Sequence, residues 1–317
     1  MMYSIYGLSV ALPDEISSGL EIVKEAADFH VLPWLLDKPI STEVSWYHKW
    51  HMPDGHVCLK AGRKNNGSFV LHFIDEGLEF EISRDGREVY YRHLEDPNLE
   101  VLRHILFTQV IPLVMNLIEI ESIHASSVLN KTGAVVFIGK SGQGKSTLAA
   151  SLIKNGLKLI SDNVVPLFFK SSNIWTTSGA SDIGLWPSVW RYLNPNAVID
   201  DPTEKCRVAL SDYQHAKGDH ILSHVYLLNP IIGSNTVRIE PVSMQETLLQ
   251  LIKGVFRLDL NDKLMLERQL SLLHKTVQLV KMRKIIYPAS IPDPDKLSCS
   301  ILTDIESFSA EPQLLFI

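Results

Sequence analysis

From Ala134 to Thr147 the chain reads Ala-Val-Val-Phe-Ile-Gly-Lys-Ser-Gly-Gln-Gly-Lys-Ser-Thr. A continuous apolar run of this kind suits a strand buried on both faces. The residues after it fit the pattern G-x-x-x-x-G-K-[ST] in full, with Gly139, Gly144, Lys145 and Ser146 at the fixed positions. The glycines let the backbone curl so that successive N–H groups face one point, a cradle for phosphate oxygens. Lys145 to Asn155 reads as a helix stopped by Gly156, and its N-terminal partial positive charge points into the same cradle. Leu157–Ile160 is the next buried strand. Strand, loop, helix and strand in that order predict an α/β unit with parallel strands. The expected nucleotide contacts are Gly139, Lys140, Ser141, Gly142, Gln143, Gly144, Lys145, Ser146 and Thr147. The alternative is a glycine-rich turn that only connects strand to helix.

The acids near such a loop decide its chemistry. Asp162 follows Lys145 by 17 positions, at the end of the next strand. Parallel strands joined by one helix set their C-terminal ends side by side, so Asp162 is expected close to the γ-phosphate. There it can take a proton from an attacking hydroxyl or hold Mg²⁺, and a cap for a turn is the plainer alternative. The Ser146 hydroxyl is a second oxygen ligand for Mg²⁺. His124 precedes Gly139 by 15 residues, and a hairpin across Asn130-Lys131-Thr132-Gly133 would bring it near the loop. Lys205 and Arg207 flank Cys206 after a Pro/Asn/Asp-rich loop, where a cation can stabilise charge on a transferring phosphoryl group or form a solvated surface pair. His220 and His224 would share a face only on a helix, and Ile221–Leu228 reads as a strand, which argues against a metal pair.

Composition excludes several classes. Lys+Arg number 30 and Asp+Glu 36, a net charge of −6 with no basic cluster, so no nucleic-acid partner is expected. With 45% hydrophobic and 21% charged residues, the chain has the make-up of a folded protein and not of a disordered one. Cys58, Cys206 and Cys299 are odd in number and lack CxxC spacing, which argues against a disulfide framework or a cysteine zinc site and for a cytoplasmic protein. The first fifteen residues lack the basic and apolar regions of a signal peptide. The most apolar stretch, Val101–Ile120, carries Arg103, His104, Gln109, Pro112, Asn116 and Glu119, so it reads as a buried helix and no membrane span is expected.

Residues 1–96 read as a β-rich module. Strands are expected at Tyr3–Val10, Val57–Lys60, Phe69–Phe73, Glu79–Ser83 and Arg87–Tyr91, with tight turns at Asn66-Gly67 and Asp85-Gly86. Glu79–Ser83 alternates polar and apolar, the pattern of a half-buried strand. Its exposed strands are a candidate surface for adding an extended peptide. Asp96 or Asn98 is expected to cap a helix running to about Ile120, so residues 97–317 read as the second domain. Further strands are expected at Val164–Phe169, Val225–Asn229 and Ile285–Tyr287, and helices at 243–257, 262–282 and from Lys296.

These residues also carry a resemblance. His124-Ala125-Ser126-Ser127-Val128, the loop Gly139–Ser146, and Gly156–Asn163 look like the core of bacterial HPr kinase/phosphorylase and its standalone relatives. Leu185-Trp186-Pro187, Lys205 with Arg207, and Tyr6-Gly7-Leu8 extend the likeness. It implies an α/β fold with a P-loop kinase domain of the HPr kinase type (a phosphoenolpyruvate-carboxykinase-like core) behind an N-terminal β-rich module. It implies an ATP-dependent kinase using Mg²⁺, with a serine hydroxyl of a peptide or small protein as acceptor. By resemblance Asp162 is the base, His124 supports it and Arg207 assists the phosphates. Two departures stand out. The family's Asp-Asp pair is Asp162-Asn163 here, leaving Asn163 at the second metal position, and the Glu-x-Arg-Gly segment is replaced by Ser178–Leu185, where Asp182 is a candidate substitute for the lost ligand. Both weigh against HPr as the acceptor. Standalone relatives that phosphorylate the C-terminal serine of a lasso-peptide precursor match better in size and N-terminal module. The family's enzymes are hexamers, but their assembly contacts lie in regions this chain does not clearly share, so the sequence leaves a homo-oligomer open.

Two other classes compete. A transporter-type ATPase shares the loop, but no Leu-Ser-Gly-Gly-Gln stretch and no late apolar strand ending in Asp-Glu is present, and a GTPase would need an Asn-Lys-x-Asp motif. A non-catalytic scaffold would not need Lys145, Ser146 and Asp162 together.

Overall fold

The computed structural model describes residues 1–36, 38–199, 201, 203–233, 236–289 and 294–309. The fold is mixed α/β and divides into two compact units: Met1–Ile120 with Arg257–Asp259, and Glu121–Phe256 with Leu260–Ile317.

The first unit is built on β1 (Met2–Ile5), β2 (Leu8–Ala11), β3 (Glu21–Ile22), β4 (Phe29–Pro33), β5 (Ser45–His51), β6 (Val57–Arg63), β7 (Phe69–Phe73), β8 (Leu78–Ile82) and β9 (Glu88–His93). They form one sheet in the order β3-β1-β2-β4-β9-β8-β7-β6-β5. The expected Tyr3–Val10 strand is a hairpin instead, because Tyr6 and Gly7 both adopt positive φ and reverse the chain. β8 is buried on both faces, not half-buried. Its polar residues are satisfied inside: Glu79 accepts from the N–H groups of Ile40 and Ser41, and Glu81 pairs with Lys64 at 2.6 Å.

The predicted helix is there as α1 (Leu99–Ile105), a π turn (Leu106–Val110) and α2 (Ile111–Leu117). Asn98, not Asp96, caps it by accepting from the Val101 N–H. The helix belongs to the first unit, so the division falls after Ile120 and not at 96/97. The reason is packing: buried Arg103 donates to the Ile16 carbonyl at 2.7 Å and Tyr6 Oη to the Phe107 carbonyl.

The second unit contains β10 (Glu121–Ile123), β11 (Ala125–Asn130), β12 (Gly133–Ile138), α3 (Lys145–Lys154), β13 (Lys158–Ser161), β14 (Val165–Lys170), β15 (Asn173–Thr177), β16 (Asp182–Leu185), α4 (Pro187–Leu193) and β17 (Cys206–Ala209). There follow β18 (Asp219–Ile231), β19 (Arg238–Pro241), α5 (Met244–Gly254), α6 (Lys263–Leu279), β20 (Lys281–Pro288) and α7 (Pro294–Ser309). The sheet order is β10-β14-β15-β18-β12-β11-β13, with β20 parallel to β18 and β19 on β20. β16 and β17 make a separate two-stranded ribbon.

The apolar run of β12 is buried on both faces, as expected. Val135 and Phe137 pack with α3 and α7 residues such as Leu148 and Ile301. Ala134, Val136 and Ile138 face the other core, with Leu251 of α5 and Leu273 of α6. One expectation fails. β12 and β13 are parallel but not neighbours, because β11 lies between them and pairs antiparallel with both. The hairpin β11–β12, closed at Asn130 and Gly133, takes the place beside β12 that β13 was expected to fill.

Candidate active site

The loop between β12 and α3 is held by its own side chains. Gly142 and Gly144 sit at φ 81° and 83°, a region open to glycine at no steric cost. Gln143 Oε1 accepts from the Lys140 N–H at 2.6 Å. Lys145 Nζ donates to the carbonyls of Gly139 (2.9 Å) and Lys140 (3.2 Å), so the ammonium lies inside the curl. Tyr287 on β20 donates its hydroxyl to the Gln143 carbonyl. Ser141 is exposed, while Ser146 and Thr147 are half-buried in the first turn of α3.

Asp162 follows β13 directly and is buried. The structure brings it to Ser146 by way of β11. Ser127 pairs with Ser161 in the β11–β13 ladder, and Ser126, one residue earlier, donates to Asp162 Oδ1 at 2.5 Å. Ser146 donates to the same oxygen at 2.9 Å. Oδ2 takes two longer contacts, from Asn163 Nδ2 and from the Gly184 N–H, both at 3.3 Å. Burial pushes the Asp162 carboxyl above the ordinary carboxylate range, against the lowering effect of Ser126, Ser146, Gly184 and Lys205. A carboxylate raised in this way is a better proton acceptor.

His124 stands at the break between β10 and β11, where its N–H bonds the Gly254 carbonyl at 2.7 Å. The Ala125–Ile138 pairing confirms the hairpin that was to carry it toward the loop. Burial, with the positive charges of Lys145 and Lys205, lowers its pKa to about 4, and its bond to the Asn163 backbone works the other way. The imidazole is therefore neutral at pH 7. It rests edge-on against Phe256, with ring centroids 6.3 Å apart. Burial also lowers the Lys145 ammonium, while the Asp162 charge supports it.

Lys205 is exposed, stands over the Trp186 ring at 5.9 Å, and acts electrostatically on His124, Lys145 and Asp162. Arg207 is engaged differently: its guanidinium pairs with Asp182 at 3.2 Å across the β16–β17 ribbon. That pair sets the two proposed stand-ins, Arg207 for the phosphates and Asp182 for the metal, against each other. Asn163 adopts φ 68°, and its amide nitrogen is spent on Asp162.

Three participants escaped the sequence reading. Ser126 was legible in principle, as a polar residue in a strand with no water to face. Gly184 and Tyr287 carry no local signal, since each reaches the site from a distant element.

The hard oxygen donors of Ser146 and Asp162 fit Mg²⁺, because the Ser146 proton points to Asp162 and leaves the hydroxyl lone pairs for a cation. Among the described residues no group of three or more His, Cys, Asp or Glu is placed to hold a metal by itself. No described helix is long and apolar enough to cross a membrane.

No family model matches the sequence, and no curated protein matches it. Solved structures do, among them the Hpr(Ser) kinase/phosphatase from Coxiella burnetii. It is 14% identical, the match covers 59% of this chain and 95% of that one, and the TM-score is 0.31. A superposition that loose assigns nothing.

Proposed function

We propose that this chain is an ATP-dependent kinase that phosphorylates a serine hydroxyl of a peptide or small protein. The observation that supports it most is the contact of Ser146 with a buried acid at the mouth of a phosphate-type loop. In this reading the loop amides and Lys145 bind the β- and γ-phosphates, with Lys145 turning from the Gly139 and Lys140 carbonyls toward the nucleotide. Ser146 and Asp162 hold Mg²⁺, which when bound neutralises charge on the phosphates. Asp162 Oδ2 takes the proton of the acceptor hydroxyl. The acceptor oxygen bonds to the γ-phosphorus, the bond from that phosphorus to the β,γ-bridging oxygen breaks, and ADP leaves with the bridging electrons. Catalysis of this kind is mainly positioning and electrostatics. His124, neutral and bonded to the backbone of Asn163, keeps the acid's strand end in place.

The acceptor favoured by the sequence resemblance is the C-terminal serine of a lasso-peptide precursor. The test uses Mg²⁺ and γ-labelled ATP with three arms: HPr, a lasso precursor peptide ending in serine, and no acceptor. Asp162→Asn is run in parallel. Label on the precursor peptide, lost in the variant, is the expected result. Phosphate release with no labelled acceptor would replace the kinase reading with an ATPase.

A further inference from the structure

Gly184 is a glycine without a conformational reason. Its φ lies outside the left-handed region, and a Cβ built on it meets no atom within 4 Å. The ribbon alternates cleanly. Ile183, Leu185 and Val208 pack into the core, while Asp182, Gly184 and Arg207 occupy the opposite face. On that face Gly184 is the bare position, directly opposite Arg207 and beside the Arg207–Asp182 pair. Its N–H lies 3.3 Å from Asp162 Oδ2, the oxygen with the weaker hydrogen bonds. The next residues of the two strands supply exposed Trp186, 48% accessible, and Lys205 above it. A glycine inside a strand marks a place where another backbone or a ligand comes close.

We propose that an extended segment of the acceptor polypeptide crosses the ribbon at Gly184, and that the missing side chain there is the space that admits its serine to Asp162. The assignment rests on the kinase reading and adds to it the surface that selects the acceptor. The flat spot suits a serine whose neighbours lie in extended backbone. The indole of Trp186, with Lys205 over it, bounds one side, and the Arg207–Asp182 pair bounds the other.

The experiment uses the full-length protein, γ-labelled ATP, Mg²⁺ and two pools of synthetic peptides with randomised residues, one with a single internal serine and one with the serine at the C-terminus. Gly184→Ala and Gly184→Leu are compared with wild type, and nucleotide affinity is measured separately by calorimetry. Pocket discrimination by a methylene or more is worth about tenfold or above. The expected result is therefore a graded loss, with KM for peptide rising several-fold in Gly184→Ala and labelling falling by more than about tenfold in Gly184→Leu. ATP affinity stays within about threefold in both, since only the acceptor side is filled. Gly184→Ala adds a methyl to open space, so it keeps the test valid where leucine disturbs the ribbon. Wild-type labelling that persists in Gly184→Leu would overturn the Gly184 assignment alone. A parallel loss of ATP affinity in Gly184→Leu would also overturn it, by moving the residue to the nucleotide side. Wild type that binds ATP but labels no peptide would overturn the kinase reading, and the acceptor surface with it.

Discussion

The Ser146 hydroxyl and Asp162 Oδ1 are 2.9 Å apart, and that single contact joins the first turn of the loop's helix to the end of a strand two places away in the sheet. It places a hydroxyl that can face a metal and a carboxylate that can take a proton beside the same glycine-rich loop.

Lys145 and Asp162 should therefore separate when substituted. Lys145→Ala removes the cation from the loop and is expected to weaken ATP binding by about tenfold or more, roughly 1.4 kcal/mol per factor of ten. Asp162→Asn keeps the size and the two shorter contacts, from Ser126 and Ser146, and gives up the acceptor at Oδ2, so ATP binding should hold while transfer falls by about 10²–10⁴-fold, the range for a general base. Calorimetry and a labelled-ATP assay on the same preparations test both. Equal loss of binding in the two variants would make Asp162 chiefly a metal ligand or structural cap.

Tyr287→Phe probes the loop from outside it. Burial pushes the Tyr287 hydroxyl up to about 12, so it stays protonated and donates to the Gln143 carbonyl at any working pH. Losing one such bond costs about 0.5–1.5 kcal/mol. A small fall in denaturation midpoint is expected, with weaker ATP binding as the loop loosens. Unchanged affinity would show that the loop's internal bonds suffice.

Gly133 is tied to the hairpin that delivers Ser126. It sits at φ 128°, and a Cβ there would come within 2.6 Å of the Ile221 carbonyl. Both the backbone and a rigid neighbour oppose a side chain, so Gly133→Ala should cost about 1–3 kcal/mol, as for other strained backbone positions. Urea melts read this directly. A loss below about 0.5 kcal/mol, the size of an ordinary surface change, would show that β18 can give way.

Acid should weaken the second unit through His224. Burial, helped by Lys281, lowers its pKa to about 4 from an ordinary 6.5, with Asp304 opposing. The unfolded chain then binds more protons than the folded one between those values. Stability is full above pH 6.5 and falls progressively as pH drops toward 4. Urea midpoints at pH 7.5, 6.0 and 5.0 should show the decline, and His224→Phe should reduce its slope, leaving the share of His124, whose pKa is also lowered to about 4. An identical slope in the variant would assign the effect to other groups.

How much of this was legible can be argued residue by residue. The loop and its flanking strand and helix were, because each depends on local chemistry: glycine at positive φ, an apolar run, a helix start. Asp162 was singled out by its chain distance from the loop, and it stands beside Ser146. The path between them was not, since strand order is set by long-range pairing. The chain changes partners at His124, so β10 pairs with β14 and β11 with β12 and β13. The division after Ile120 was missed for a similar reason. The charged and proline residues before Leu99 look like a linker, but the Arg103 and Tyr6 contacts that hold the helix to the first sheet are invisible to local pattern. Gly184 and Tyr287 lay beyond reach because their roles exist only once distant strands have met.

The hairpin β11–β12 has a consequence for the order of folding. Its pairs run from Asn130–Gly133 outward to Ala125–Ile138, all short in chain distance, and such hairpins form in roughly microseconds. The β12–β18 pairing, Val136 with Val225, must wait for a far longer loop to close. Ser126 and the root of the glycine-rich loop can thus be set in register before the sheet around them is complete. The acid joins them when β13 docks on β11, which needs only the α3 crossover. The residues of the proposed site are concentrated in the segment that has least chain to wait for.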